Sequence, residues 1–213
     1  ETPLSKGEVA MDHSYKDVTE DAITVKFKLK SRQKLGNFET DNNTYILAWT
    51  TTPWTLPANL ALAVNKNVEY IITKKSNDSL ILASKPLLTS PYQREGQEGV
   101  KIQGKDLIGL EYESLFNQNT YCVGAADFVT TEEGTGVIHI APMYGEDDYQ
   151  LGLKLGLPIV PLLDQSACFN DNAPEFIRGQ YYKKANKIII EGLEKRELIF
   201  AKQAHTHSYP HCH

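Results

Sequence analysis

Alternating hydrophobic and polar residues predict β-strands over the first two-thirds of the chain. The clearest case is residues 23–30. One face carries the apolar residues Ile23, Val25, Phe27 and Leu29, and the other carries Lys26, Lys28 and Lys30. This is the pattern of an antiparallel strand with one buried face. The lysine face is either a solvated surface or a row that follows phosphate groups. Further strands are predicted at residues 44–50, 69–73, 79–83, 121–124 and 137–141.

The segments between these strands are polar or rich in glycine. Residues 74–78 are polar and predict the turn of a β-hairpin between two strands. Residues 93–104 are glycine-rich and show no periodicity, which predicts a surface loop.

Helical periodicity comes late in the chain. From Tyr182 onwards, apolar residues recur on one face and predict an amphipathic helix that packs on the sheet. Its apolar positions are Ala185, Ile188, Ile189, Gly192 and Leu193. A shorter helix is predicted at residues 146–155, because three acidic residues open it and Gly156 follows it. Short strands with a few helices predict an α+β fold.

Composition narrows the class of protein. The chain has 213 residues, of which 41% are hydrophobic, which is enough for one compact unit. Its 27 acidic and 22 basic side chains leave no positive field for non-specific nucleic-acid binding. Cys122, Cys168 and Cys212 are widely spaced and favour a reducing compartment. No apolar run approaches the roughly 20 residues that span a bilayer, and no signal peptide opens the sequence. We therefore expect a soluble, cytoplasmic protein.

Hydroxyl groups cluster where one predicted strand ends. Threonines are ordinary strand formers, but the prolines behind them end the sheet ladder and leave the hydroxyls near an open edge. There, Thr50 and Thr52 share one face and Thr51 takes the other. The full run is Trp49-Thr50-Thr51-Thr52-Pro53, followed by Trp54, Pro57 and Asn59.

A histidine lies on the strand predicted at residues 137–141. Alternation places His139 on the face of Val137, opposite the two isoleucines, so we expect it to face away from the apolar core and towards a cleft. A lone histidine is also a common structural hydrogen-bonding residue, and its chemistry depends on partners that the sequence does not show.

Further candidate residues flank this strand. Asp148 lies in the first turn of the predicted helix, where the helix dipole favours an ionised carboxylate that can receive an ammonium group. Capping the helix would explain it equally well. Gly134-Thr135-Gly136 either lets a ligand approach the backbone closely or forms a hairpin turn. Together with the threonines, these residues predict a pocket that binds a small polar group and hydrolyses an ester.

Three runs carry a resemblance to a known family. Trp49-Thr-Thr-Thr-Pro-Trp-Thr-Leu-Pro-Ala-Asn59, Gly134-Thr-Gly-Val-Ile-His-Ile-Ala-Pro142 and Gly145-Glu-Asp-Asp-Tyr149 resemble the editing (CP1) domain of isoleucyl-tRNA synthetase. Valyl and leucyl relatives typically carry Arg-Pro-Glu or Arg-Pro-Asp where this chain has Thr52-Pro53-Trp54, which favours the isoleucyl branch. Many bacterial members carry Gly-His-Gly where Met143-Tyr144-Gly145 stands here.

The resemblance also has consequences for domain organisation. Residues 2–5 and 207–212 resemble the stretches where that domain leaves and re-enters the catalytic body. Neither the His-x-Gly-His signature nor the Lys-Met-Ser-Lys-Ser loop of the synthetic site is present. We therefore expect residues 1–213 to form a single editing domain excised from a larger synthetase, with junctions at residues 1–15 and 205–213 and no synthetic activity.

The resemblance implies a mostly antiparallel, β-barrel-like core with a few flanking helices. It also implies hydrolysis of the ester between valine and the 3′-terminal adenosine of isoleucine tRNA, with water as the nucleophile. By position, Asp148 holds the α-ammonium group, and His139 lies beside the aliphatic side chain and helps to exclude isoleucine. The other implied site residues are Thr50, Thr51 and Thr52 in the pocket, Trp54 and Asn59 at its wall, and Gly134, Thr135, Gly136 and Val137 near the adenosine.

The implied partners are the 3′ CCA end of the tRNA and the remainder of the synthetase in cis. We expect a monomer that needs no cofactor and no membrane.

Other functions remain open. A threonine nucleophile with His139 as base and Asp148 as orienting acid would make a covalent hydrolase. A metal site is suggested by five potential ligands in nine residues, namely His205, His207, His211, Cys212 and His213, although a frayed terminus explains these residues as well. A binding module that holds aminoacylated tRNA ends without cleaving them, or the editing domain of a valyl or leucyl relative, would also fit.

Overall fold

The computed structural model describes residues 15–85 and 99–210, with the backbone alone for residues 15, 16, 18 and 207–210. Its strands are β1 (Tyr15–Lys28), β2 (Lys34–Leu35), β3 (Phe38–Glu39), β4 (Thr44–Thr50), β5 (Ala61–Val64), β6 (Glu69–Lys75), β7 (Asp78–Ala83), β8 (Val100–Gln103), β9 (Glu111–Glu113), β10 (Thr120–Ala125), β11 (Val137–Ile140) and β12 (Ile199–Pro210). Its α-helices are α1 (Gly104–Leu107), α2 (Glu146–Leu155) and α3 (Tyr182–Lys195). Short 3-10 turns lie at Pro53–Ala58 and Glu175–Ile177.

Two sheets organise the molecule. The larger one has the strand order β12-β1-β4-β7-β6-β8, the smaller one has the order β11-β5-β10-β9, and β2 and β3 form a separate hairpin. Within these sheets the pairs β4–β7 and β5–β10 are parallel, and the other pairs are antiparallel. The α+β class with mostly antiparallel strands is confirmed. The sheets of the described residues are open and do not close into a barrel.

Several elements lie where the sequence predicts them. Strand β4 and helix α2 match the predictions at residues 44–50 and 146–155, and α3 begins at Tyr182 as expected. Gly156 closes α2 in the left-handed conformation, with φ of 67°. The predicted hairpin at residues 74–78 is confirmed, because β6 and β7 pair across it.

Other elements correct the sequence predictions. The surface loop predicted at residues 93–104 is wrong in its second part, where β8 runs over Val100–Gln103 and pairs with β6, while residues 93–98 lie outside the described residues. Strand β12 pairs with β1 from Ile199 to Pro210, with one register shift between Thr24 and Val25, so residues 205–210 belong to a paired strand rather than to a frayed terminus. Residues 211–213 lie outside the described residues. Tyr15 pairs with Pro210, which brings the two ends of the described chain side by side.

The main hydrophobic core lies between the two sheets. Phe27 of the large sheet and Tyr112 of the small sheet are both fully buried, and their rings meet edge to face at a centroid distance of 5.5 Å. Leu29 and Tyr112 also form an isolated β-bridge that joins the sheets. Strand β11 packs against β4. This contact brings the predicted histidine strand next to the end of the threonine strand.

The lysine face predicted at residues 23–30 is neutralised by carboxylates of the chain itself. Lys26 Nζ lies 2.9 Å from Asp78, and Lys28 and Lys30 lie 3.7 and 3.6 Å from Glu113. These pairs support the interpretation of an ordinary surface face over that of a phosphate-binding row. Among the described residues, the helices are too short and too polar to cross a membrane.

Candidate active site

The threonine run turns sharply at the end of β4. Thr50 is the last residue of the strand, and Pro53 opens a 3-10 turn at a position where its missing N–H is not needed. The Thr52 carbonyl accepts hydrogen bonds from both the backbone N–H and the hydroxyl of Thr55, at 2.9 and 2.8 Å. The turn therefore folds the threonine hydroxyls back on one another.

A network of hydroxyl groups surrounds the His139 imidazole. His139 Nε2 lies 3.0 Å from Thr55 Oγ1, with a longer approach of 3.5 Å to Thr50 Oγ1. The Thr52 hydroxyl lies 3.3 Å from that of Thr50 and 3.2 Å from that of Thr55. The Thr52 N–H donates to Thr50 Oγ1 at 3.1 Å. Two segments that lie 84 positions apart therefore share one buried polar cluster.

His139 lies in the interior rather than on an open cleft. Alternation along β11 is correct, since Val137 and His139 share a face, but that face joins the main core, in which Val137 is packed. The histidine is only 7% exposed. This burial lowers its pKa from 6.5 to about 4, because the charged imidazolium would lose its hydration. His139 is therefore neutral at pH 7.

Asp148 lies half-buried at the start of α2. One carboxylate oxygen, Oδ2, accepts the backbone N–H of Ala141 at 2.8 Å, which ties the helix to the end of β11. Partial burial raises the pKa of this carboxyl, with a smaller contribution from the neighbouring Asp147, and the Ala141 hydrogen bond opposes the rise. The expectation that the helix dipole favours the ionised form is therefore outweighed by desolvation. An ammonium group beside the carboxylate would reverse this effect.

Aromatic rings stand beside the threonine turn. The Trp54 ring makes edge contacts with Tyr144 and Tyr182, at centroid distances of 4.9 and 5.0 Å. Its backbone N–H donates to the side-chain oxygen of Asn186 on α3 at 2.8 Å. The Tyr144 hydroxyl accepts a hydrogen bond from the Leu162 N–H at 2.9 Å. The helix and the aromatic cluster therefore hold the turn in place.

The glycines before β11 are required by packing within the chain. Gly134 and Gly136 have positive φ of 68° and 69°. A Cβ at Gly136 would lie 2.5 Å from that of Ala83, and one at Gly134 would lie 2.9 Å from the Cβ of Trp49. Thr135 between them is buried and accepts the Ala83 N–H through its carbonyl. This turn fixes the start of β11.

The remaining predicted residues fall in two places. Asn59 is buried away from the hydroxyl network. It donates to the Ala61 carbonyl and accepts a hydrogen bond from the Tyr112 hydroxyl at 2.7 Å, so it links β5 to β9 within the small sheet. Thr51 is half-buried in the turn between Thr50 and Thr52. Thr55 is the site residue that the candidate set lacked. Its signal was its place in the same Trp-Thr-Leu-Pro run, two positions after Pro53.

The metal hypothesis finds no support in the part of the chain that the structure describes. There, no group of three or more histidine, cysteine, aspartate or glutamate side chains converges. The His205 ring packs edge to face on Trp49 at a centroid distance of 5.2 Å. The side chain of His207 and residues 211–213 lie outside the described residues.

Comparison with known proteins shows what the chain is similar to. No family model matches the chain. The isoleucine–tRNA ligase of Clostridium tetani is 43% identical over 216 residues, or 99% of this chain, and isoleucine–tRNA ligase 2 of Bacillus anthracis is 39% identical over all of it. Each match covers 20% of the relative, so the chain spans about a fifth of the length of these curated relatives.

Solved structures of low identity share the fold. The crystal structure of GlLeuRS-CP1 has a TM-score of 0.66 at 14% identity and covers 85% of this chain and 99% of its own. The P. falciparum cytosolic leucyl-tRNA synthetase editing domain has a TM-score of 0.64 at 11% identity, with 85% and 98% covered. The chain is therefore homologous, over its whole length, to a segment that makes up about a fifth of the length of isoleucine–tRNA ligases. It has the fold of the leucyl-tRNA synthetase CP1 editing domains.

Proposed function

We propose that the chain is the editing domain of an isoleucine–tRNA ligase and hydrolyses the ester of valine wrongly attached to isoleucine tRNA, sparing the isoleucyl ester. The observation that carries the proposal is the meeting of the threonine turn with β11, through Thr55 and His139, next to the Asp148 helix. The homology to isoleucine–tRNA ligases favours this substrate over those of the leucyl and valyl relatives.

The reaction answers a limit of binding energy. A hydrophobic pocket separates two substrates that differ by one methylene by only about 1–3 kcal/mol, so a second site must destroy what the first accepts wrongly. That second site needs to hold the common ammonium group and reject the larger side chain. An anionic group beside a rigid wall meets both needs.

Asp148 is the group we assign to the substrate ammonium. Among the described residues, the hydrogen bond from the Ala141 N–H goes to Oδ2 alone, and the carboxylate remains half-buried. Partial burial strengthens an ion pair with a substrate cation, because less water screens it. Gly145 supports this arrangement, since a Cβ there would lie 3.2 Å from Asp148 Cγ.

We assign the hydroxyl network to the binding of the substrate's ester group and of its aliphatic side chain. Thr50, Thr51 and Thr52 line the pocket, and His139 behind them forms a neutral, fixed wall against a longer aliphatic side chain. We assign Trp54 to a wall of the pocket, and Asn59 to the support of that wall through β5. The edge of the pocket near the terminal adenosine is assigned to Gly134, Thr135, Gly136 and Val137.

Water is the nucleophile in this proposal. The alternative triad requires Asp148 to orient His139, but Asp148 is bonded to Ala141, and no described group pairs with His139 Nδ1. Donors fixed on the ester carbonyl would stabilise the developing oxyanion.

Pairing of Tyr15 with Pro210 supports a domain inserted into a larger enzyme. A chain that enters and leaves side by side can be carried by a catalytic body without disturbing it. We therefore propose that residues 1–213 act as one editing domain, monomeric and joined in cis to the remainder of the synthetase, which delivers the tRNA.

Single-turnover deacylation of valyl- and isoleucyl-tRNA(Ile), at high concentration of this chain, tests the proposal. We expect preferential loss of valine, abolished by Asp148→Ala. If neither ester is cleaved by folded protein, while the tRNA end is retained, the chain is a binding module and the proposed hydrolysis is wrong.

A further inference from the structure

Thr55 lies at the centre of the hydroxyl network. Its hydroxyl has three polar neighbours within hydrogen-bond distance but only one proton to donate. Its Oγ1 is 2.8 Å from the Thr52 carbonyl, 3.2 Å from the Thr52 hydroxyl and 3.0 Å from His139 Nε2. A hydroxyl has one proton and two lone pairs, whereas a carbonyl can only accept. Once the Thr55 proton is donated to the carbonyl, Oγ1 can only accept from its other neighbours. The donor at 3.0 Å must then be His139 Nε2–H.

The other ring nitrogen of His139 supports the same assignment. Nδ1 is buried and has no hydrogen-bond partner among the described residues. If Nδ1 carried the proton, a polar N–H donor would be enclosed without an acceptor. A bare lone pair at this position is the less costly alternative, because buried donors without partners are rarer in proteins than under-satisfied acceptors.

We propose that Thr55 is a positioning residue that fixes His139 as the Nε2–H tautomer and so orders the protons of the threonine network. The tautomer follows from the contacts alone, and its role in catalysis rests on the proposed function. Thr55 touches neither the ester nor the water in this proposal. It acts through His139 and through the backbone of Thr52.

This proton order decides what each hydroxyl can do. With a proton on Nε2 and with Nδ1 enclosed, His139 offers no lone pair to a threonine, so it is a donor and not a base. Thr50 Oγ1 accepts the Thr52 N–H, which leaves its own proton for Thr52 Oγ1, 3.3 Å away. The hydroxyl proton of half-buried Thr52 is then donated to Thr55 Oγ1, 3.2 Å away, and a bound ester carbonyl would have to replace that acceptor to receive it.

Two substitutions of Thr55 separate its hydroxyl from its shape. Thr55→Val keeps the branched side chain and removes the hydroxyl, whereas Thr55→Ser keeps the hydroxyl. The tautomer is measured by correlating the imidazole nitrogens with their ring protons in ¹⁵N-labelled protein, with His139→Gln to assign the signals. Single-turnover deacylation of valyl-tRNA(Ile) is measured on the same variants, with kcat separated from KM.

We expect the wild type and Thr55→Ser to show Nε2–H, and Thr55→Val to lose this signal or to exchange it rapidly with Nδ1–H. We expect Thr55→Val to lower kcat about 10- to 100-fold, with KM changed by less than about 3-fold, and Thr55→Ser to restore most of the rate.

An Nδ1–H tautomer in the wild type would overturn the inference, as would an unchanged Nε2–H signal in folded Thr55→Val. A protein that shows the expected tautomers but cleaves no ester would leave the tautomer assignment standing and refute the proposed function. The spectroscopic and kinetic arms therefore fail separately.

Discussion

The polar side chains at the two ends of the segment from β11 to α2, His139 and Asp148, differ in burial and in hydrogen bonding. His139 is enclosed, neutral and bonded to hydroxyls of its own chain. Asp148 is half-buried, and within the described part of the chain one of its carboxylate oxygens is bonded to the backbone. A buried polar group satisfied from within fixes geometry, because its protons and lone pairs have nowhere else to go. A partly exposed charge is poised to bind. In the proposed function, the first is a rigid wall and the second is the group that binds the substrate, and the two lie within ten residues of each other.

The largest effect should come from the binding end. Asp148→Asn keeps the size of the side chain and removes the charge, so in the proposed function the substrate ammonium would lose its partner in a partly buried site. We expect kcat/KM for valyl-tRNA(Ile) deacylation to fall about 10²- to 10³-fold, or roughly 3–4 kcal/mol. Asp147→Asn, one position away and exposed, is the matched control and should change the rate by less than about 3-fold. Equal losses in the two variants would remove Asp148 from the site.

The next effect should come from the turn that positions the wall. Gly136→Ala introduces a side chain at φ of 69° and places its Cβ 2.5 Å from that of Ala83, so both strain and overlap oppose it. We expect the free energy of unfolding, measured with urea, to fall by about 2–4 kcal/mol.

Gly179→Ala is the control for this glycine. It has a similar φ of 72°, but no atom lies within 4 Å of the added Cβ, so it should lose only about 1 kcal/mol. If the two variants lose the same stability, the contact with Ala83 does not fix the start of β11.

The sequence predicts individual helices and strands better than it predicts how they pair and pack. Helix α2 is predicted to the residue, because acidic residues open it and Gly156 supplies the left-handed conformation that ends it. Strand β5 is missed, because its four residues are all buried and therefore do not alternate. Strand β12 is set by pairing with β1 across almost the whole chain, which no local pattern records.

The same distinction applies to the site. The sequence indicates Thr50, His139 and Asp148 as candidates, since each has a local reason to stand out. It cannot show that Thr55 reaches His139, or that His139 faces the core, because those facts depend on how β11 packs against β4. Alternation places a residue on a face, and tertiary packing decides whether that face is buried.

Acid should lower the free energy of unfolding through the buried His139. The folded pKa of His139 is about 4 and the unfolded value is 6.5, so the unfolded chain binds the proton first as the pH falls between these values. Stability is therefore full above pH 6.5 and declines towards pH 4. The contribution of His139 should be a loss of about 1 kcal/mol between pH 6 and pH 5.

Comparing urea unfolding of the wild type and His139→Gln at both pH values isolates this contribution, since the other titrating groups are common to both proteins. Asp148 has the opposite sign, because its raised pKa lets the folded protein hold a proton above pH 3.8. An identical pH dependence in the two proteins would mean that His139 is not enclosed.

The smallest effect should come from Lys28, at the end of β1, and Lys30, just beyond it, because both are paired with a carboxylate at the surface. Lys28 and Lys30 share Glu113 at more than 3.5 Å, and all three side chains are more than a third exposed, so each pair contributes about 0–1 kcal/mol. The double variant Lys28→Gln/Lys30→Gln should leave the salt dependence of tRNA retention unchanged in a filter-binding titration. A lysine that binds a phosphate would instead reduce the logarithmic salt slope by about 0.7–0.9 per contact. Glu113→Gln, which removes their partner and keeps both lysines, is the control. A slope that is lower by nearly two units in the double variant would make this face part of the tRNA site.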